Sequence, residues 1–296
     1  MQLLKTTITP KSNFITTLKG DTLFGQLCWM INYKFGEDRL KSLLDDYETS
    51  PFMIVSDGFV KDYLPKPYMP SIYLNEDAQN KKENRKKKWL KYEDLINGTF
   101  QNAKTNEEAK NSDKNSATIK NSINYKTFTT DNSGQFSPYG LEELSLSQKD
   151  IYVLIDESRF TKDELEESFK FLSQYGYGKD STIGKGRFEF DSFYKFEVSK
   201  KSNTFMSLSP VSPKDLKCRN IFYEPFTRFG KHGASLANKN PFKKPLLLAN
   251  SSAVIEFDEI QDIQYIGKAI RGHSSFENTV HQGYSIVLPI KGLNNE

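Results

Sequence analysis

Between Gly20 and Gly36, apolar side chains recur every three or four residues. Leu23, Phe24, Leu27, Cys28 and Ile31 would share one side of a helix, with Asp21 placed to cap its start and Gly36 to stop it. Ahead of this helix, Gln2 to Thr9 reads as a short strand, and behind it EDRLKSLLDDY repeats the amphipathic spacing. Phe52 to Ser56 is a brief apolar run between Pro51 and Asp57-Gly58, which predicts a buried strand. The proline-punctuated YLPKPYMP then leads out of regular structure. Pattern returns at KDIYVLIDE, a strand, followed by TKDELEESFKFLSQYG, a helix opened by a Thr161–Glu164 capping box and closed by Gly176. RFEFDSFYKFEV alternates, with Phe188, Phe190, Tyr194, Phe196 and Val198 on one face, and predicts one half-buried antiparallel strand.

From Asn75 to Gln135, Lys, Asn, Ser and Glu dominate and apolar periodicity is lost, so this stretch reads as a long insertion, either partly mobile or ordered by a partner. Set aside the insertion, and the first 200 residues run strand, helix, strand, strand, helix, strand. Two β-α-β units around an antiparallel sheet form the ferredoxin-like arrangement, whose layers also underlie RNA-recognition domains. Beyond Phe205 the pattern is of strands only: FMSLSP, CRNIFYEPF, PLLLAN, AVIEF and GYSIVLPI. The expected fold class is therefore α+β, with residues 1–200 as a first domain carrying the insertion at about 75–135 and residues 201–296 as a second, helix-poor domain.

Composition narrows the function classes. The 296 residues carry 41 basic and 38 acidic side chains, a formal charge of +3, so binding of nucleic acid would rest on local clusters. Two cysteines, Cys28 and Cys218, support neither a disulfide framework nor a four-ligand zinc site, and a reducing cytoplasm is the expected setting. The N-terminus lacks the look of a secretory signal, and no apolar run is long enough to span a membrane.

The densest chemistry lies in QYGYGKDSTIGKGRFEF, Gln174 to Phe190. A nucleotide P-loop is excluded: five residues separate Gly178 from Gly184, Gly186 follows Lys185 where a hydroxyl is required, and the loop joins helix to strand. What remains is a turn whose glycines let backbone N–H groups near an anion, with Lys179, Lys185 and Arg187 supplying charge. LKGDT puts Lys19, Gly20, Asp21 and Thr22 at a helix N-terminus, where either phosphate binding or plain capping by Asp21 fits. KKENRKKKWLKY, with Lys86, Lys87, Lys88 and Trp89, suits an RNA backbone and a stacked base, or is a solvated charge run. His232, His273 and His281 show no metal spacing and no paired catalytic group. No cofactor and no metal is expected.

Taken in order, LKGDTLFGQLCW, DYLPKPYMP, KKENRKKKWLKY, KNSINYKTFTTDNSGQFSPYG and GYGKDSTIGKGRFEF resemble the RAMP superfamily of CRISPR proteins. The resemblance is to its Cas5-like group, the subunits that cap the 5′ tag of crRNA in type III-A interference complexes. YEPFTRFGKHGASLANKNPFKKPLLLANS and GYSIVLPI resemble the second domain of the same subunit. The resemblance implies two ferredoxin-like domains, the second degenerate, and a non-catalytic RNA-binding role. It implies crRNA, a large polymerase-like subunit and an adjacent backbone RAMP subunit as partners. Carried onto this chain, it assigns RNA contact to Lys19, Gly20, Asp21 and Thr22, and to Gly178, Lys179, Ser181, Thr182, Gly184, Lys185, Gly186 and Arg187. Lys120, Asn121, Ser122 and Asn124 fall in a thumb-like hairpin segment, and Arg228, Lys231, Lys243 and Lys244 in a surface facing RNA or a subunit. Gln26 stands where many relatives carry histidine, which removes a candidate catalytic base. The alternative is a metal-independent crRNA-processing endoribonuclease using His232 or His281.

Overall fold

A computed structural model describes residues 1–130, 136–198, 201–233 and 241–293. The end of the insertion at 131–135, the expected domain boundary at residue 200 and the ASLANKN stretch at 234–240 lie outside the described residues.

The first sheet is antiparallel, and its path runs Tyr194–Lys195, Gln2–Pro10, Lys149–Ile155, Met53–Val55, with Phe59–Val60 and Phe188–Phe190 paired to the two central strands. Its middle is the long pairing of Gln2–Pro10 with Lys149–Ile155, in register at Leu4 and Val153. Two long helices, Gly20–Phe35 and Lys162–Tyr175, lie where the periodicity predicts them. The second begins at the expected capping box, Thr161 and Glu164 exchanging backbone bonds of 3.2 and 3.0 Å. Phe169 of this helix meets Phe188, Phe190 and Phe193 edge-on at 5.1–5.8 Å between ring centres, fixing the helix to the sheet. A buried Lys5–Asp150 ion pair of 2.7 Å holds the central strands together. Burial pulls the Lys5 pKa down, but the hydrogen bond and charge of Asp150 outweigh it and leave the pKa raised.

The strand expected over Arg187 to Val198 is broken in two. Phe190 pairs with Ile8 but Tyr194 pairs with Lys5, so one extra residue sits on this strand, a bulge. Because side chains alternate along a strand, one added residue swaps the faces beyond it. Phe193 is buried and Tyr194 is half-exposed, against the uniform alternation read from the sequence.

The insertion also departs from expectation. It holds short helices at Lys81–Lys86 and Tyr92–Asn97, a strand Trp89–Leu90 paired with Leu64–Pro65, and a long hairpin of Lys114–Lys120 with Tyr139–Ser145. Leu90, Leu95, Phe100 and Ala103 are buried in the main core. These anchors are too widely spaced to register as periodicity, yet they fasten the polar stretch to the body of the chain.

The second sheet has five strands, in the order Asn220–Phe222, Val254–Gln261, Ser202–Ser207, Tyr284–Pro289, Tyr265–Gly267. Its described residues include no helix. Met206, Leu208, Val254, Tyr284, Ile286 and Leu288 join Phe24, Val55 and Phe52 in one core that runs across both sheets. Polar groups at the seam are matched as well: the fully buried Gln282 amide accepts from the Val55 N–H at 2.9 Å and donates to the Val55 carbonyl at 2.8 Å. It thus completes the outer edge of Met53–Val55 as a neighbouring strand would.

Gln282→Leu leaves both Val55 groups buried and unpaired, at about 1–3 kcal/mol for each. Urea unfolding should show that loss, and an unchanged midpoint would contradict this pairing at the seam.

Candidate nucleic-acid interface

The first helix begins at Gly20 because nothing larger fits: a Cβ there would lie 2.2 Å from the Val55 carbonyl oxygen. Its Ncap is Lys19, in extended conformation, and the cap acceptor comes from elsewhere in the chain. Asp57 accepts the Gly20 N–H at 2.8 Å and binds the Lys19 ammonium at 2.8 Å, which also reaches Asn250 at 2.9 Å. Asp21 does not cap the helix, correcting the capping read from sequence. Its carboxylate is buried and gripped by the Arg228 guanidinium, Nε to Oδ2 at 2.7 Å and the second nitrogen to Oδ1 at 2.5 Å. Asp21 is a better ion-pair partner than a cap because it points at the second half of the chain. Thr22 hydrogen-bonds Asp21 at 3.4 Å. Lys19, Asp21 and Arg228 are thus committed to joining the helix to the C-terminal region.

The glycine loop is folded tightly onto this helix start. Gly176 ends the preceding helix, its N–H donating to the Leu172 carbonyl at 2.8 Å. The buried Tyr177 hydroxyl donates to the Thr17 carbonyl at 2.7 Å and accepts from the Lys19 N–H at 3.3 Å. The Gly178 N–H donates to Gln26 at 3.1 Å, the Lys179 N–H to the Thr16 hydroxyl at 3.0 Å, and the Gly186 N–H to the Asn13 carbonyl at 2.9 Å. A Cβ at Gly178 would meet Thr16 at 2.6 Å, and one at Gly186 would meet the Tyr177 carbonyl at 2.0 Å. These two glycines permit close approach of the protein to itself. Gly184, at φ 87°, is the one with open space around it. Ser181 and Thr182 open a short 3-10 turn at the tip.

The loop's cations divide in the same way. Lys185 is held at 2.6 Å by Glu143, whose carboxylate is almost fully buried and also takes a 2.7 Å bond from Asn13. Lys185 and Asn13 pull the Glu143 pKa below the ordinary carboxylate value against the opposing effect of burial. Lys179 and Arg187 are exposed and form no salt bridge among the described residues.

Glu143 belongs to the long hairpin, so Lys185 ties the base of that hairpin to the glycine loop. Lys120 pairs with Tyr139 at the far end of the ladder, and Asn121 and Ser122 follow it. Asn124 organises the turn beyond, its side chain accepting from the Lys126 N–H at 2.9 Å and its carbonyl from the Phe128 N–H at 2.7 Å. Large apolar side chains stand exposed among the polar residues toward this end: Ile119 is 76% exposed, Tyr125 85% and Phe128 80%. Sequence reading missed these side chains as a group because their spacing matches neither helix nor strand. It also missed Asp57, Glu143 and Tyr177, whose partners are distant in sequence.

Other candidates lie apart from the loop or are internal. Lys86 pairs with Glu83 at 2.9 Å, Lys87 and Lys88 lead into the Trp89–Leu90 strand, and the Trp89 indole donates to Asn106 at 2.7 Å. Lys231 and Lys244 are exposed, while Lys243 is largely enclosed and its pKa is lowered by burial. His232, His273 and His281 are all buried near Lys243. Burial, reinforced by Lys243, holds the His273 pKa down to about 4. His281, 3.4 Å from Asp21, is also held at about 4 by burial, which outweighs the Asp21 carboxylate. Both are neutral at pH 7. Among the described residues, no group of His, Cys, Asp or Glu is arranged to hold a metal ion, and no helix is long and apolar enough to cross a membrane.

No protein-family model and no curated protein matches the chain. Solved structures match it end to end. In the Csm1-Csm4 cassette in complex with AMPPNP, a chain superposes at TM-score 0.63 with 15% identity, covering 98% of both chains. The cassette in complex with cA4 gives 0.61 and 16% over 98% of both. In the Csm3-Csm4 subcomplex in the type III-A CRISPR-Cas interference complex, the match is 0.60 with 17% identity, over 99% of this chain and 100% of the other. The likeness is one of fold.

Two outcomes test the buried charge arrangement. Arg228→Met strands the Asp21 carboxylate and should cost about 3–5 kcal/mol in chemical denaturation, most of it recovered by adding Asp21→Leu. A double variant as unstable as the single one would contradict the pairing. The two histidines carry folded pKa values near 4 against an ordinary 6.5. The unfolded chain therefore takes up protons first, and stability present above pH 6.5 declines as pH falls toward 4. His273→Leu should flatten that decline in urea midpoints compared at pH 7 and pH 5, and an unchanged slope would contradict it.

Proposed function

We propose that this chain is the crRNA 5′-tag-binding subunit of a type III-A interference complex, the counterpart of Csm4, and that it works without catalysis. One observation carries the reading: the fold covers, end to end, chains of both a Csm1-Csm4 and a Csm3-Csm4 assembly, which have Csm4 in common. The partners that follow are the crRNA tag, a large polymerase-like subunit and an adjacent backbone subunit. The strand order of the first sheet supports reading residues 1–200 as a ferredoxin-like domain: numbering its four core strands along the chain, with the bulged last strand counted once, gives the order 4-1-3-2. Residues 201–296 we read as a degenerate, strand-only version.

In this reading the glycine loop is a rigid rail. Thr16, Gln26 and Asn13 satisfy its backbone from behind, so its outer edge is presented in a fixed shape. Lys179 and Arg187 supply the charge for phosphates, and Ser181, Thr182 and the open face of Gly184 admit the RNA backbone closely. Lys19, Gly20, Asp21, Thr22, Lys185 and Gly186 set the rail's position from within. The hairpin carrying Lys120, Asn121, Ser122 and Asn124 stands beside it, its base fastened through Glu143. The endoribonuclease alternative finds no support in the geometry, since His232 and His281 are buried and their pKa values lowered.

Lys179→Gln with Arg187→Gln should weaken binding of a tag-bearing RNA and lower the salt dependence of log K by about 0.7 for each phosphate that is no longer neutralised. Filter binding across a salt series reads both quantities. Unchanged affinity and slope would overturn the loop assignment.

A further inference from the structure

A second face of the molecule has the chemistry of an RNA contact. Pro225–Arg228 pairs with Leu246–Ala249, and the two-stranded ladder continues outward through the Lys231–Phe242 bridge and the bonds from Lys243 to Gly230 and His232 to Pro241. Between the Arg228–Leu246 pair and the Lys231–Phe242 bridge the register slips by one, so an extra residue lies on the second strand and its faces exchange there. Arg228, His232, Lys243 and Leu248 turn toward the protein, where Arg228 holds Asp21 and His232 bonds Ser274 at 2.6 Å. Phe229, Lys231, Phe242 and Lys244 are exposed on the other side, Phe229 at 72% and Phe242 at 63%.

We propose that this outer face is a stacking platform for unpaired RNA bases, with Phe229 and Phe242 as the stacking rings and Lys231 and Lys244 as phosphate contacts. The proposal rests on the RNA-binding reading above and extends it to a site in the C-terminal half. Aromatic rings interleaved with cations are the recurrent means of holding single strands, because every base offers a π-face. The Lys231 ammonium lies 4.8 Å from the Phe242 ring centre, which couples a charge to that ring. Neither PFTRFGKH, Pro225 to His232, nor PFKKPLLLA, Pro241 to Ala249, contains a carboxylate, so the face suits a polyanion. Its inner side is tied to the scaffold of the loop site through the interior of the protein. Arg228, next to Phe229, is bound to Asp21 at the helix start, and the Tyr177 hydroxyl of the glycine loop is bonded to Lys19 at the same place. Rings buried in a protein interface would answer to the same exposure, and the test separates the two.

The test uses the full-length chain and a single-stranded RNA carrying 2-aminopurine, whose fluorescence is quenched on stacking. Phe229→Ala with Phe242→Ala should abolish the quenching and weaken binding about tenfold or more, leaving the salt slope unchanged. Phe229→Tyr with Phe242→Tyr should restore both, and Lys231→Gln with Lys244→Gln should lower the salt slope. Quenching and affinity preserved in the alanine variant overturn the platform, whether or not that variant loses a protein subunit on copurification. If the Lys179→Gln/Arg187→Gln variant alone loses binding, the loop assignment stands and the platform falls. If only the alanine variant loses it, the platform stands and the loop assignment falls.

Discussion

The carboxylate of Asp21 has no solvent exposure, and the guanidinium that neutralises it reaches in from Arg228, on the other side of the chain's midpoint. A buried carboxylate without a partner costs several kcal/mol, so closing the core over the first helix obliges the C-terminal hairpin to dock where Arg228 can reach. Other contacts at the seam follow from that docking. Lys19 is drawn between Asp57 and Asn250, and Gln282 completes the edge at Val55. His281 is enclosed beside the pair and stays neutral. The two sheets consequently share one core.

The same constraint shapes the candidate site. Tyr177 bonds the backbone on both sides of Leu18, and Gln26 on the first helix fixes Gly178, so the glycine loop inherits the rigidity of the seam. Its glycines are places of close contact more than of flexibility: Gly178 and Gly186 let the protein approach itself, and Gly184 leaves an opening outward. Preorganised contacts lose little entropy on binding. The charges free for a ligand are those the scaffold has not used, which separates Lys179 and Arg187 from Lys19 and Lys185.

Local pattern was enough to read the long helices, the capping box, the central strands and the glycine loop, because each is encoded in neighbouring residues. The bulge between Phe190 and Tyr194 was illegible because alternation continues through it in the sequence, with Phe193 the unplaced aromatic. The insertion looked coreless because Leu90, Leu95 and Phe100 are isolated among polar residues. In the site, the basic residues were legible by type and their division was not. Whether a lysine is free depends on Asp57, Glu143 and Asn250, which the fold brings from 38, 42 and 231 residues away. Gln26, seen from sequence as the loss of a histidine, is instead the link between helix and loop.

On the function proposed above, the outer edge of the glycine loop lies against the crRNA tag. Ile183 sits on that edge beside Gly184, 61% exposed and outside the bonded interior of the loop. A photoreactive amino acid placed at this position, in the complex assembled with an end-labelled crRNA, reports directly on what covers it. Crosslinks to tag nucleotides are the expected result. Crosslinks confined to protein subunits would contradict the claim.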